Sequence, residues 1–95
     1  MNAPFPLLSC EYDDGYFDKD EQGWVASRTA VSSNVETGAV TIRHSGDRNG
    51  LDPYDTVIET NIVEVLSDRQ VVKFAHPRWA FDLASNRLIE AHTLR

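Results

Sequence analysis

Apolar and polar positions alternate with a period of two through most of this chain. Val40, Ile42 and His44 fall on one side of their segment, Val72, Phe74 and His76 on one side of theirs, and Trp79, Phe81 and Leu83 on one side of a third. That period belongs to an extended chain with one face turned to a core. Between the alternating runs stand short polar clusters of similar make-up: Phe17-Asp18-Lys19-Asp20-Glu21-Gln22-Gly23-Trp24, Asn34-Val35-Glu36-Thr37-Gly38-Ala39-Val40, and Phe81-Asp82-Leu83-Ala84-Ser85-Asn86-Arg87-Leu88. Each opens on Asp or Asn, puts Gly or Asn where the backbone must reach positive φ, and restarts on an apolar residue, which is the chemistry of a tight turn. A fourth copy, Leu66-Ser67-Asp68-Arg69-Gln70-Val71, joins two valine-rich runs without a glycine. The pattern predicts an all-β fold. It is a small antiparallel meander of six to seven strands, over about 10–17, 24–32, 39–44, 56–66, 71–76, 79–83 and 88–94, forming a barrel or a two-layer sandwich.

Three segments depart from the pattern. Ser45 to Pro53 holds two glycines and a proline and is the one connection too long for a tight hairpin, so a crossing loop is expected there. Asp52-Pro53-Tyr54-Asp55 resembles a helix start, with a capping Asp and proline at the first helical position. Its continuation is rich in β-branched residues (Thr56, Val57, Ile58, Thr60, Ile62, Val63), which favours a strand; an α+β fold with one short helix near 53–62 is the alternative. Residues 1–9, with two prolines, form an N-terminal arm that packs Phe5, Leu7 and Leu8 or frays. The last strand has two partly apolar faces, so a second cover is expected, from the arm or another subunit.

Ninety-five residues suit a single domain with a small core. No run approaches the length of apolar chain that a helical membrane span needs, which points to a soluble protein. Cys10 is the sole cysteine, so an internal disulfide and cysteine-paired zinc are excluded and a reducing, cytoplasmic home is the simplest. Leu7-Leu8-Ser9-Cys10 has the look of a lipoprotein box, but no basic charge precedes it and Pro4 and Pro6 interrupt it. A net charge of −6 argues against direct binding of nucleic acid or anionic membrane. The charge is lopsided: Glu11, Asp13, Asp14, Asp18, Asp20 and Glu21 crowd the first third, whereas Arg69, Lys73, Arg78, Arg87 and Arg95 fall in the last.

Candidate chemistry is sparse. His44, His76 and His92 share an inward parity near strand ends, and converging imidazoles with Glu90 would make a divalent metal site and a small metal-dependent enzyme. Rim histidines bonded to backbone explain the same residues, and no cofactor is expected. Asp18 to Gly23 matches the first half of a calcium loop, but Thr29 stands where the bidentate Glu belongs. Cys10 has no neighbouring base, no P-loop or Gly-x-Ser-x-Gly is present, and Asp13 and Asp14 point to opposite faces of a strand, so no catalytic mechanism is legible.

Binding has more material. Trp24, Trp79, Tyr12, Tyr16, Phe17 and Tyr54, with seven arginines to two lysines, are residue types favoured at interface centres. The expected function is protein–protein recognition by a non-enzymatic module, through self-association or capture of a basic partner. The expected patch is Tyr12, Asp13, Asp14, Tyr16, Phe17, Asp18 and Asp20. Two alternatives use the same charges: spaced carboxylates imitating a phosphate backbone, and Arg69, Lys73, Arg78 and Arg87 beside Trp79 and Phe81 as a single-strand binding face. Strand edges with few lysines to blunt them favour a homo-oligomer.

Overall fold

The computed structural model describes residues 4–18, 23–48 and 52–94. Eight strands run β1 Ser9–Asp13, β2 Tyr16–Asp18, β3 Gly23–Ser33, β4 Ala39–Arg48, β5 Asp52–Leu66, β6 Val71–Phe74, β7 Trp79–Asp82 and β8 Arg87–Glu90, followed by a 3-10 turn at Ala91–Leu94. Every neighbouring pair is antiparallel, in the order β1-β3-β4-β5-β6-β7-β8, with β2 also on β3. β1 and β2 occupy one ladder position, broken at Asp14–Gly15, so the fold is the expected all-β meander, an antiparallel sheet curled into a half-barrel. No helix among the described residues is long and apolar enough to cross a membrane.

β5 organises the curl. Its first part pairs with β4 from Asp52 to Asn61 and its last part with β6 from Ile62 to Leu66, with a register shift between Ile62 and Glu64. Such an irregularity bends a strand and raises its twist, carrying β6–β8 over the lower half of β1, β3 and β4. There Leu8, Val31, Val40 and Ile42 meet Ile62, Val72, Phe74 and Phe81 in one buried cluster, flanked by Phe5, Cys10, Ile58, Trp79, Leu83 and Leu88. The alternating faces legible in the sequence are the faces that meet. Above this core β3, β4 and β5 continue as a ribbon, and the molecule measures 50 × 27 × 20 Å.

The arm is anchored along its described part. Phe5 N donates to Val35 O, Leu8 N donates to Ser33 Oγ at 2.7 Å, and Ser33 Oγ donates to Pro6 O. Leu8 is 1 % exposed while Leu7 faces solvent at 68 %. The Phe5 ring lies over Gly38, whose φ of +77° serves the β3–β4 turn. Asn34 Oδ1 caps that turn by accepting from the backbone N–H groups of Glu36 and Thr37. Asn86 takes φ 57° in the β7–β8 turn, and Gln70 takes φ 57° in the β5–β6 turn, where the sequence offers no glycine. The turn at residues 19–22 lies outside the described residues.

Residues 53–62 are strand, as the β-branched run favours, and the alternative of a short helix there falls: a capping Asp and an N1 proline cannot outweigh a run that pairs with β4 as far as Asn61. Two expectations are corrected. The described part of 45–53 is strand and not a crossing loop, because β4 and β5 stay paired out to Arg48 and Asp52. The last strand ends at Glu90. Val71 and Ala80 are buried outside the main cluster, and Arg69 Nη1 donates to Leu94 O, holding the 3-10 turn back across the intervening strands.

Candidate functional site: an open strand edge

In an extended strand the N–H and C=O of one residue point to one side and those of the next to the other, so two hydrogen bonds fix the direction of every group in β5 up to Ile62. Ile62 N donates to Gly38 O on the β4 side, and Asn61 O accepts from Ala75 N on the β6 side, both at 2.8 Å. By alternation the groups of 54, 56, 58 and 60 serve β4, whereas those of 53, 55, 57 and 59 face the opposite side, where β6 does not begin until Ile62. Among the described residues no strand pairs with that side of 52–60. Pro53 falls on the open side, so its missing N–H costs the β4 ladder nothing. Beside this edge Val57 is 54 % exposed, and Val63 and Val65 are exposed further along the strand.

The other long edge is not open in the same way. β1 and β8 come together through side chains. Leu88 N donates to the Tyr12 hydroxyl and Asn86 Nδ2 to Ser9 O, both long at 3.4 Å, and the Arg87 guanidinium sits 4.4 Å from the centre of the Tyr12 ring. Burial pushes the Tyr12 phenol above its ordinary pKa, opposed by the bond from Leu88.

The expected acidic–aromatic patch is divided between two faces. Tyr12 turns inward; Asp13 turns outward, where Arg28 Nε reaches its Oδ1 at 3.0 Å and Arg28 Nη1 reaches Glu11 at 2.8 Å. Asp14 turns inward and accepts from Thr29 Oγ1 at 3.1 Å. Tyr16, Phe17 and Asp18 form β2, but their side chains, like all of Asp20, lie outside the described residues. Further out on the same face Arg43 forks onto Asp55, holding that carboxyl below the usual carboxylate range, mainly by hydrogen bonding. Arginines therefore stand among the described carboxylates of this face. The hollows on this face, such as that between Glu11, Ala30, Thr41 and Arg43, are shallow and open.

The three histidines stay apart. His76 follows β6 and accepts from Arg78 N, and His92 lies in the 3-10 turn, 3.1 Å from Glu90. Among the described residues no three His, Cys, Asp or Glu side chains gather as a metal site. Only His44 is packed inside, against Trp79 at 5.8 Å between ring centres, with the Arg78 guanidinium 4.6 Å from the Trp79 ring. Its Nδ1 is 3.0 Å from Thr29 Oγ1. The Asp14 carboxylate only accepts, so Thr29 spends its one proton there and must accept from His44, which therefore carries its proton on Nδ1. The far nitrogen, Nε2, is buried with no partner among the described residues, so Asp14–Thr29–His44 is a row of side chains that ends in the interior. Sequence parity placed His44 inward; the buried Thr29 that joins it to Asp14 carries no mark in the sequence.

No protein-family model matches the chain, and no curated protein or solved structure matches it.

Proposed function

We propose that this protein is a non-enzymatic binding module that associates with other protein chains by adding a strand to the open edge of β5. The observation that carries the reading is the outward direction of the backbone groups of 53, 55, 57 and 59 beside a ladder that β6 takes up only at Ile62. Main-chain hydrogen bonds supply affinity in this mode and alternate side chains supply specificity. Native edges are blunted by lysine, bulges or a covering element. Here the only device in 52–60 is Pro53, at the end of the run, with the exposed carboxylates of Asp55 and Glu59. Recognition thus moves from the expected acidic patch to the strand three ladders away. With Cys10 unpaired, the reading assigns the protein to a reducing cytoplasm.

Light scattering on a sizing column tests it. At roughly 100 µM, suited to a small and weak interface, the chain should elute above its monomer mass of 10.7 kDa. Val57→Pro should return it to monomer, because the N–H removed faces the open side and serves no bond to β4. A wild-type monomer, or an assembly indifferent to Val57→Pro, would refute the edge as the contact.

A further inference from the structure

We infer that the strand which completes the open edge of β5 is the same edge of a second copy, laid antiparallel about a two-fold axis through Thr56. This rests on the edge-binding reading above and goes further by naming the partner and its register.

Geometry leaves few registers. Only odd-numbered residues face the open side, so a ladder between two copies must set odd against odd, and a two-fold arrangement is labelled by the residue on its axis. With Val57 on the axis, Pro53 of the second copy would lie opposite Asn61, whose carbonyl is already taken by Ala75 N, and Asp52 would lie opposite Ile62, where β6 is seated. That register also sets Asp55 against Glu59. With Asp55 on the axis, two Asp55 carboxylates face each other, and like charges directly opposite are unfavourable.

With Thr56 on the axis both obstacles vanish. Asp52, where β5 begins, lies opposite Thr60, one residue short of the carbonyl that β6 occupies. The free run thus has the length of the strand that would fill it. Asp55 faces Val57, Glu59 faces Pro53, Tyr54 faces Ile58, and Thr56 faces itself, with no acid opposite an acid. The two Asp55/Val57 pairs each exchange both backbone bonds, and Glu59 N donates to the carbonyl of Pro53 from either side. The one donor that Pro53 lacks falls at the outermost pair, where its loss least disturbs the ladder. Arg43 keeps Asp55 partnered within its own chain, which limits the repulsion between two acidic copies.

Cysteine cross-linking reads the register. In a Cys10→Ser background, Thr56→Cys puts two thiols across a pair that is not hydrogen-bonded, with Cα atoms about 4.5 Å apart, the closest approach two antiparallel strands offer. Under oxidised glutathione this variant should form a covalent dimer at least tenfold faster than Val57→Cys in the same background. Addition of Val57→Pro to the Thr56→Cys variant should abolish the product. Faster linkage through Val57→Cys, or none through either while Val57→Pro still dissociates the wild-type assembly, would overturn the register and leave edge binding standing. A chain that is monomeric at every concentration would overturn both.

Discussion

Thr29 is the only buried polar side chain among the described residues, at 0 % exposure, and it works as a hub. Its single hydroxyl donates to Asp14 and accepts from His44, tying the end of β1 to β4 across β3. Thr29→Val keeps the shape and removes both bonds, leaving the His44 Nδ1–H buried with no acceptor. A destabilisation of about 1–3 kcal/mol is expected in urea unfolding, with Thr29→Ser recovering most of it; equal stability of Thr29→Val and wild type would show the relay to be idle. Gln70 is a second residue whose cost is local. Its φ of 57° is left-handed, a conformation that costs an L-residue roughly 1–2 kcal/mol and glycine little. Gln70→Gly should therefore stabilise by about 0.5–1 kcal/mol after the entropy glycine loses on folding, and an unchanged or lower melting temperature would contradict it. Gly38 is the converse: a Cβ there meets both an unfavourable φ and the Phe5 ring.

At the scale of elements, the strands were legible because alternation and turn residues agree. Val40/Ile42, Val72/Phe74 and Trp79/Phe81 each fixed a face, and Asn34, Gly38 and Asn86 fixed corners. What sequence hid was the pairing of 45–53: two glycines and a proline look like a loop, but Gly46 is needed because a Cβ there would run into the carbonyl of Ala26, and Pro53 sits harmlessly on an open edge. The candidate patch was less legible still. A run of acids shows charge but not that Asp13 and Glu11 would be met by Arg28 across the ladder, nor that Asp55 would be met by Arg43. The Arg43–Asp55 pair makes a pH-dependent contribution whose sign is fixed. The folded Asp55 carboxyl titrates below its unfolded value, so the stabilisation is full at neutral pH and is lost in acid as pH falls through the folded pKa. Arg43→Gln should bring the Asp55 titration, followed by NMR, back to the ordinary carboxylate range; an unmoved titration would mean the ion pair does not form in solution. Burial, the largest influence, likewise pushes the Cys10 thiol up, so iodoacetamide should modify it more slowly at pH 8 than a free thiol.

For the whole molecule, the division of labour is between a packed lower half and a ribbon that extends beyond it. The core closes β6–β8 over β1, β3 and β4, and side chains at Tyr12 and Asn86 join the first and last strands, so among the described residues the long edge of β5 is left without a partner strand. Joining two copies along it would continue the sheet through both molecules. Each chain carries −6, so association should tighten as salt screens the repulsion, the reverse of a contact held by opposite charges. Amide hydrogen exchange followed residue by residue tests the open edge most directly. With the chain assembled, Asp55, Val57 and Glu59 should exchange slowly and lose that protection on dilution, while Tyr54, Thr56 and Ile58, bonded to β4, stay protected throughout. Fast exchange at 55, 57 and 59 in a sample shown to be dimeric would place the contact on another surface and contradict strand pairing through β5.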